Sequence, residues 1–126
     1  LMLNPDDEHV LNNYSYYLSL RKEQLEKAAR MARRLVEALP KESTYLDTYA
    51  WVLYQQGNYQ EALRYLAMAI EEGKSPSSAI WEHYGDALYR LGRVDEAVKS
   101  WKKANDLPNA DQNLEKKIKM KRIVEN

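Results

Sequence analysis

Residues 46–70 read LDTYAWVLYQQGNYQEALRYLAMAI and residues 81–105 read WEHYGDALYRLGRVDEAVKSWKKAN, the second stretch being the first displaced by 35 positions. The displacement lays Tyr49 on Tyr84, Leu53 on Leu88, Tyr54 on Tyr89, Gly57 on Gly92, Ala62 on Ala97 and Ala69 on Ala104. Run backwards it carries Tyr49 to Tyr14, Leu53 to Leu18 and Leu46 to Leu11, after which a shift of 34 carries Ala62 to Ala28. A fixed period of this length marks repeated units that cannot bury their apolar faces alone and must stack to do so. The drop from 35 to 34 assigns one extra residue to the turn of the first unit.

Within a unit the apolar spacing is helical. Leu46, Tyr49, Ala50 and Leu53 recur at three and four, as do Ala62, Leu66, Ala69 and Ile70 after a break. The break at Gln56-Gly57-Asn58 is chemical: Gly accepts the left-handed conformation that ends a helix, and Asn58 with Glu61 has capping-box spacing. Arg90-Leu91-Gly92-Arg93 repeats the stop, while Ser75-Pro76 and Leu107-Pro108-Asn109 punctuate the later units. The pattern predicts seven helices, at about 7–21, 24–39, 44–56, 59–72, 77–91, 94–106 and 110–124.

Composition bounds the class. A chain of 126 residues and 14.8 kDa, 44% hydrophobic and 30% charged, fits one folded domain. No apolar run approaches the roughly 20 residues that span a bilayer. The absence of Cys removes disulfides, thiolate metal sites and cysteine nucleophiles together, and four Gly argue against a glycine-rich phosphate loop. Lys plus Arg balance Asp plus Glu at 19 each, so no global field draws nucleic acid, although the middle of the chain is acidic and the tail basic. Basic positions such as Arg30, Arg33, Arg34 and 116–122 are interleaved with acids and apolar residues at helical spacing, which reads as a solvated helix face. Leu1-Met2-Leu3 shows neither the basic start nor the apolar stretch of a signal peptide and gives no address.

The third unit carries Trp81, Tyr84-Gly85, Leu88, Gly92, Ala97, Trp101 and Ala104; the second carries Leu46, Tyr49-Ala50, Leu53, Gly57, Ala62, Leu66 and Ala69. This pattern resembles the tetratricopeptide (TPR) repeat. The first unit keeps Tyr14, Leu18, Ala28 and Pro40 but has Ser15 at a small position and Lys22-Glu23 where the turn Gly belongs. More narrowly, Leu11-Asn12-Asn13-Tyr14, the stretch from Tyr45 to Trp51, and Glu82-His83-Tyr84-Gly85-Asp86 resemble TPR proteins of Bacteroidetes and related bacteria. The resemblance implies an all-α, right-handed superhelical solenoid with repeats at 8–41, 43–76 and 78–108 and a capping helix at 110–126, as part of a longer chain. It implies a bacterial source and the periplasmic side of the envelope, with the cytoplasm as the alternative.

In that geometry the first helix of each pair lines a concave groove. The ligand-facing set is Asn12, Asn13, Tyr16 and Ser19, then Asp47, Thr48, Trp51, Tyr54 and Gln55, then Glu82, His83, Asp86, Tyr89 and Arg90. Aromatic rings beside carboxylates suit a basic or aromatic segment of a peptide or protein. The best-known TPR clamp grips acidic chaperone C-termini with Lys, Arg and Asn, and Asp47, Glu82 and Asp86 have the opposite sign. Glu82, His83 and Asp86 also have the spacing of a metal or general-base site, but two His and no nucleophile constellation favour a hydrogen-bond network without catalysis, metal or cofactor. Tyr49 and Tyr84 read as core. On the last helix Leu114, Ile118 and Ile123 or Val124 are expected inward, with Lys116, Lys117, Lys119, Lys121 and Arg122 in solvent. The resulting function is a noncatalytic interaction scaffold; the alternative is a structural segment of a longer array that stacks on neighbouring repeats or self-associates.

Overall fold

A computed structural model describes residues 5–123, with side chains from residue 8. Among them are seven helices and no strand: α1 (Pro5–Arg21), α2 (Leu25–Ala38), α3 (Ser43–Gln55), α4 (Tyr59–Glu72), α5 (Ser78–Arg90), α6 (Val94–Asn105) and α7 (Leu114–Met120). They form three antiparallel pairs, each packed on the next, with α7 closing on α6. The first six match the expected spans to within two residues. The last is shorter than the expected 110–124. Asn109 is left-handed at φ 64° and Asp111 accepts from the Asn113 amide at 2.7 Å, so the chain is still turning there. Lys121, at φ 52°, ends the helix. Val124 lies outside the described residues.

The three turns share one hydrogen-bond pattern. Gly57 and Gly92 sit at φ 83° and 80°, donating to Tyr54 and Tyr89 O at 2.9 Å, and the next amide donates to Leu53 and Leu88 O at 2.9 Å. Lys22 occupies the same place in the first turn at φ 55°, its amide on Ser19 O at 3.2 Å, with Glu23 on Leu18 O at 3.0 Å. The extra residue is accommodated by a second left-handed position, Gln24 at φ 45°. The expected Asn58–Glu61 capping box does not form: Asn58 makes no side-chain cap bond and Glu61 pairs with Arg64 at 3.0 Å.

Two serines related by the repeat close the later pairs. Ser43 Oγ donates to Ala69 O at 3.0 Å and Ser78 Oγ to Ala104 O at 2.8 Å, tying the start of each first helix to the end of its second. Ala50, Ala62 and Ala97 are fully buried where helices approach. Gly85 is required by space rather than by φ: a Cβ there would lie 2.5 Å from the indole of Trp101, the largest fully buried side chain. One apolar core runs from Leu35 of α2 to Leu114 of α7, and Leu18, Ala28 and Val52 join the first pair to the second.

Candidate functional site

Because every second helix packs outward, α1, α3 and α5 lie side by side, and α7 follows them on the same face. Their common surface holds a groove of about 570 Å³ and, beside it, a hollow of about 240 Å³ that shares Tyr16 and Ala79. The 35-residue register sets its floor: Asn12, Asp47, Glu82 and Lys117 occupy one equivalent position on α1, α3, α5 and α7.

The charges on that floor are paired with each other. His83 Nδ1 and Asp47 Oδ1 are 2.8 Å apart. Lys117 Nζ donates to Glu82 Oε2 at 2.7 Å and to Asp86 Oδ1 at 3.0 Å, while Trp101 Nε1 donates to the same Asp86 oxygen at 3.0 Å. Burial opposes charge on His83, but Asp47, the bond between them, and the Asp86 and Glu82 carboxylates outweigh it and raise the imidazole above its ordinary 6.5. Lys117 behaves likewise: burial lowers it, Asp86 and Glu82 more than compensate, and the ammonium is held charged. Burial also pushes Asp86 up, against the pull of Lys117 and His83.

Rings stack along the groove. Trp51 lies between Tyr54, at a centroid distance of 4.3 Å, and His83, at 3.9 Å, both nearly parallel to it. Arg90 Nε donates to the Tyr54 hydroxyl at 2.9 Å. Burial, then the Asp47 and Glu82 charges, push the Tyr16 phenol up to about 12; burial also pushes Tyr54 up to about 12 against the Arg90 hydrogen bond. Both hydroxyls therefore stay protonated and can donate. Asn12 Oδ1 and Trp51 Nε1 are buried without a hydrogen-bond partner.

Of the residues expected to face a ligand, Tyr16, Trp51, Tyr54, Gln55, Glu82, His83, Asp86 and Arg90 line the larger groove. Asn12, Asn13, Asp47 and Thr48 line the smaller hollow. Tyr89 lies in neither and packs toward Trp101, at a centroid distance of 6.0 Å. Ser19 is turned inward, its hydroxyl on Tyr16 O at 2.6 Å. Lys117, expected in solvent, is only 5% exposed, because the acids below it outweigh the pull of water on the ammonium. The far wall, made of Asn109, Asp111, Asn113 and Ile123, was not legible as part of the site. Carrying the repeat one step past Glu82 lands on Lys117 and is the signal that finds it. Among the described residues no group of three or more His, Asp or Glu side chains could hold a metal ion, and no helix is long and apolar enough to cross a membrane.

Paired helices at this period, with a concave face lined by the first helix of each pair, define a tetratricopeptide-repeat protein. The chain belongs to the family described as "Anaphase-promoting complex, cyclosome, subunit 3", whose family model matches residues 21–104. No curated protein matches the sequence. Solved structures do. The first TPR of Spaghetti (RPAP3), bound to an HSP90 peptide, superposes with a TM-score of 0.81 at 13% identity, over 94% of this chain and 93% of that one. The first TPR domain of human RPAP3 gives 0.82 at 14% identity, over 94% and 91%. The Sgt2 TPR domain from Aspergillus fumigatus gives 0.79 at 16% identity, over 94% and 78%. At such identity the likeness is one of fold.

Proposed function

We propose that the chain is a noncatalytic interaction scaffold that binds an extended peptide or protein segment in the groove formed by α1, α3, α5 and α7. The observation that carries this reading is a solvent-open groove whose walls are already fixed. The Tyr54–Trp51–His83 stack, the Arg90–Tyr54 hydrogen bond and the Lys117 ion pairs hold the lining before any ligand arrives. Preorganised walls leave most of the ordering cost with the ligand, and affinity then comes from a few anchors. The peptides bound by RPAP3 and the protein-complex context of the family description support a protein-binding role.

The internal pairing refines the ligand. Asp47, Glu82 and Asp86 were the reason to expect a basic segment, and each now has a cationic or imidazole partner inside the chain. Trp51 and Tyr54, each 8% exposed, are buried in the wall, so what remains for a ligand is the half-buried rings of Tyr16 and Tyr59 with hydrogen-bonding groups at Tyr16 and Gln55. We therefore assign it aromatic or apolar anchors in place of Lys or Arg. Panning a random linear peptide library on the chain tests this: selected sequences should be rich in aromatic and aliphatic residues, and Gln55→Arg with Tyr16→Ala should abolish their binding. Enrichment of Lys and Arg would overturn the ligand assignment, and binding indifferent to both changes would overturn the site.

A further inference from the structure

The register that builds the groove also exposes a second surface. Positions 10, 14 and 17 of α1 are equivalent to 45, 49 and 52 of α3 and to 80, 84 and 87 of α5. In the later helices Tyr45, Val52, Ile80 and Ala87 are buried, and Tyr49 and Tyr84 are half-buried against the core. In α1 the same places are open: Val10 is 64% exposed, Tyr14 39% and Tyr17 50%. The difference has one cause. α2 packs on α3 and α4 packs on α5, whereas no helix among the described residues covers α1 in this way. This fold covers these positions with a helix.

The border of the stripe is cationic. The Lys27 ammonium stands 5.5 Å from the centre of the Tyr14 ring and the Arg21 guanidinium 5.6 Å from that of Tyr17, but Arg21 is already paired with Glu23 at 2.9 Å, so the uncompensated charge lies on α2. Arg30 and Arg34 follow Lys27 on the same exposed side of α2, and no carboxylate among the described residues pairs with Lys27, Arg30 or Arg34. We propose that this end face docks an amphipathic helix of a partner whose apolar stripe is bordered by Asp and Glu. The stripe supplies apolar area and the cations select the sign of the border. A second copy stacked end to end fits poorly, since its α7 end exposes Lys116, Lys119, Lys121 and Arg122 and would set like charges together.

The test uses two designed helical peptides with one leucine stripe, bordered in one by Glu and in the other by Lys, titrated into the whole chain. The Glu-bordered peptide should bind, shift the amides of Val10, Tyr14 and Tyr17, and bind at least about tenfold more weakly to the Lys27→Glu, Arg34→Glu double variant. Those exposed changes leave the fold intact by circular dichroism and leave groove peptides bound. Failure of the Glu-bordered peptide to bind, equal binding of both peptides, or affinity unmoved by the charge reversal overturns the proposal. So does dimerisation of the chain through this face in sedimentation.

Discussion

The first helix pair and the third are built on one register and end in different states. In the third, Glu82 and Asp86 are capped by Lys117, and Trp101 fills the space that Gly85 leaves. In the first, Asn12 stands where Glu82 stands, and its side-chain oxygen is buried without a partner. Val10, Tyr14 and Tyr17, equivalent to Ile80, Tyr84 and Ala87, face solvent. The repeat thus fixes where a side chain sits, while its neighbour in the stack decides whether it is core, charge partner or surface. The closed end is held by buried charges and the open end presents apolar area.

That contrast breaks most sharply at Lys117. Lys117→Met strands Glu82 and Asp86 without their cation, and breaking a buried pair in this way costs about 3–5 kcal/mol. Urea denaturation should show the loss at neutral pH and a smaller deficit in acid, because burial raises Asp86 and its protonation there removes a stranded charge. Gly85→Ala drives a Cβ into the Trp101 indole and should cost about 1–3 kcal/mol, although the equivalent position in the second unit is already Ala50. Pairing it with Trp101→Leu, which copies Leu66 of the second unit, should recover part of the loss.

His83 makes the same comparison titratable. Its pKa is raised in the folded chain, so its contribution is fully present below pH 6.5 and is lost as pH rises from there through the raised value. His83→Gln should flatten the fall in urea midpoint over that window. At the turns, Lys22→Gly should stabilise by about 1 kcal/mol and Gly92→Lys should destabilise by a similar amount, because both positions need positive φ. The smallest effect belongs to the open stripe. Tyr17→Ser should change stability by less than about 0.5 kcal/mol, whereas Val52→Ser at the equivalent buried place should cost several times more, read from paired thermal melts.

The helices were legible because apolar spacing and Gly57 and Gly92 mark them locally. The length of the last helix was not: its ends depend on the left-handed Asn109 and Lys121, and neither is a residue type that demands that conformation. Twelve of the fourteen residues expected in the ligand-facing set, all but Ser19 and Tyr89, line one cavity or the other. Their pairing was hidden. Asp47 and His83 are 36 positions apart and Lys117 is 35 from Glu82, so local periodicity within one helix is silent about them. Lys117 looked like one more wet cation on a basic helix, and only the long period distinguishes it from Lys116 and Lys119.

The claim that matters most is that ligands enter between α1, α3 and α5. Amide shift mapping of the isotopically labelled chain with a library-selected peptide addresses it directly. Perturbations should concentrate at Tyr16, Gln55, Tyr59 and Arg90, with α2, α4 beyond its first turn, and α6 quiet. Shifts confined to α2, α4 and α6, the outer helices, would contradict it.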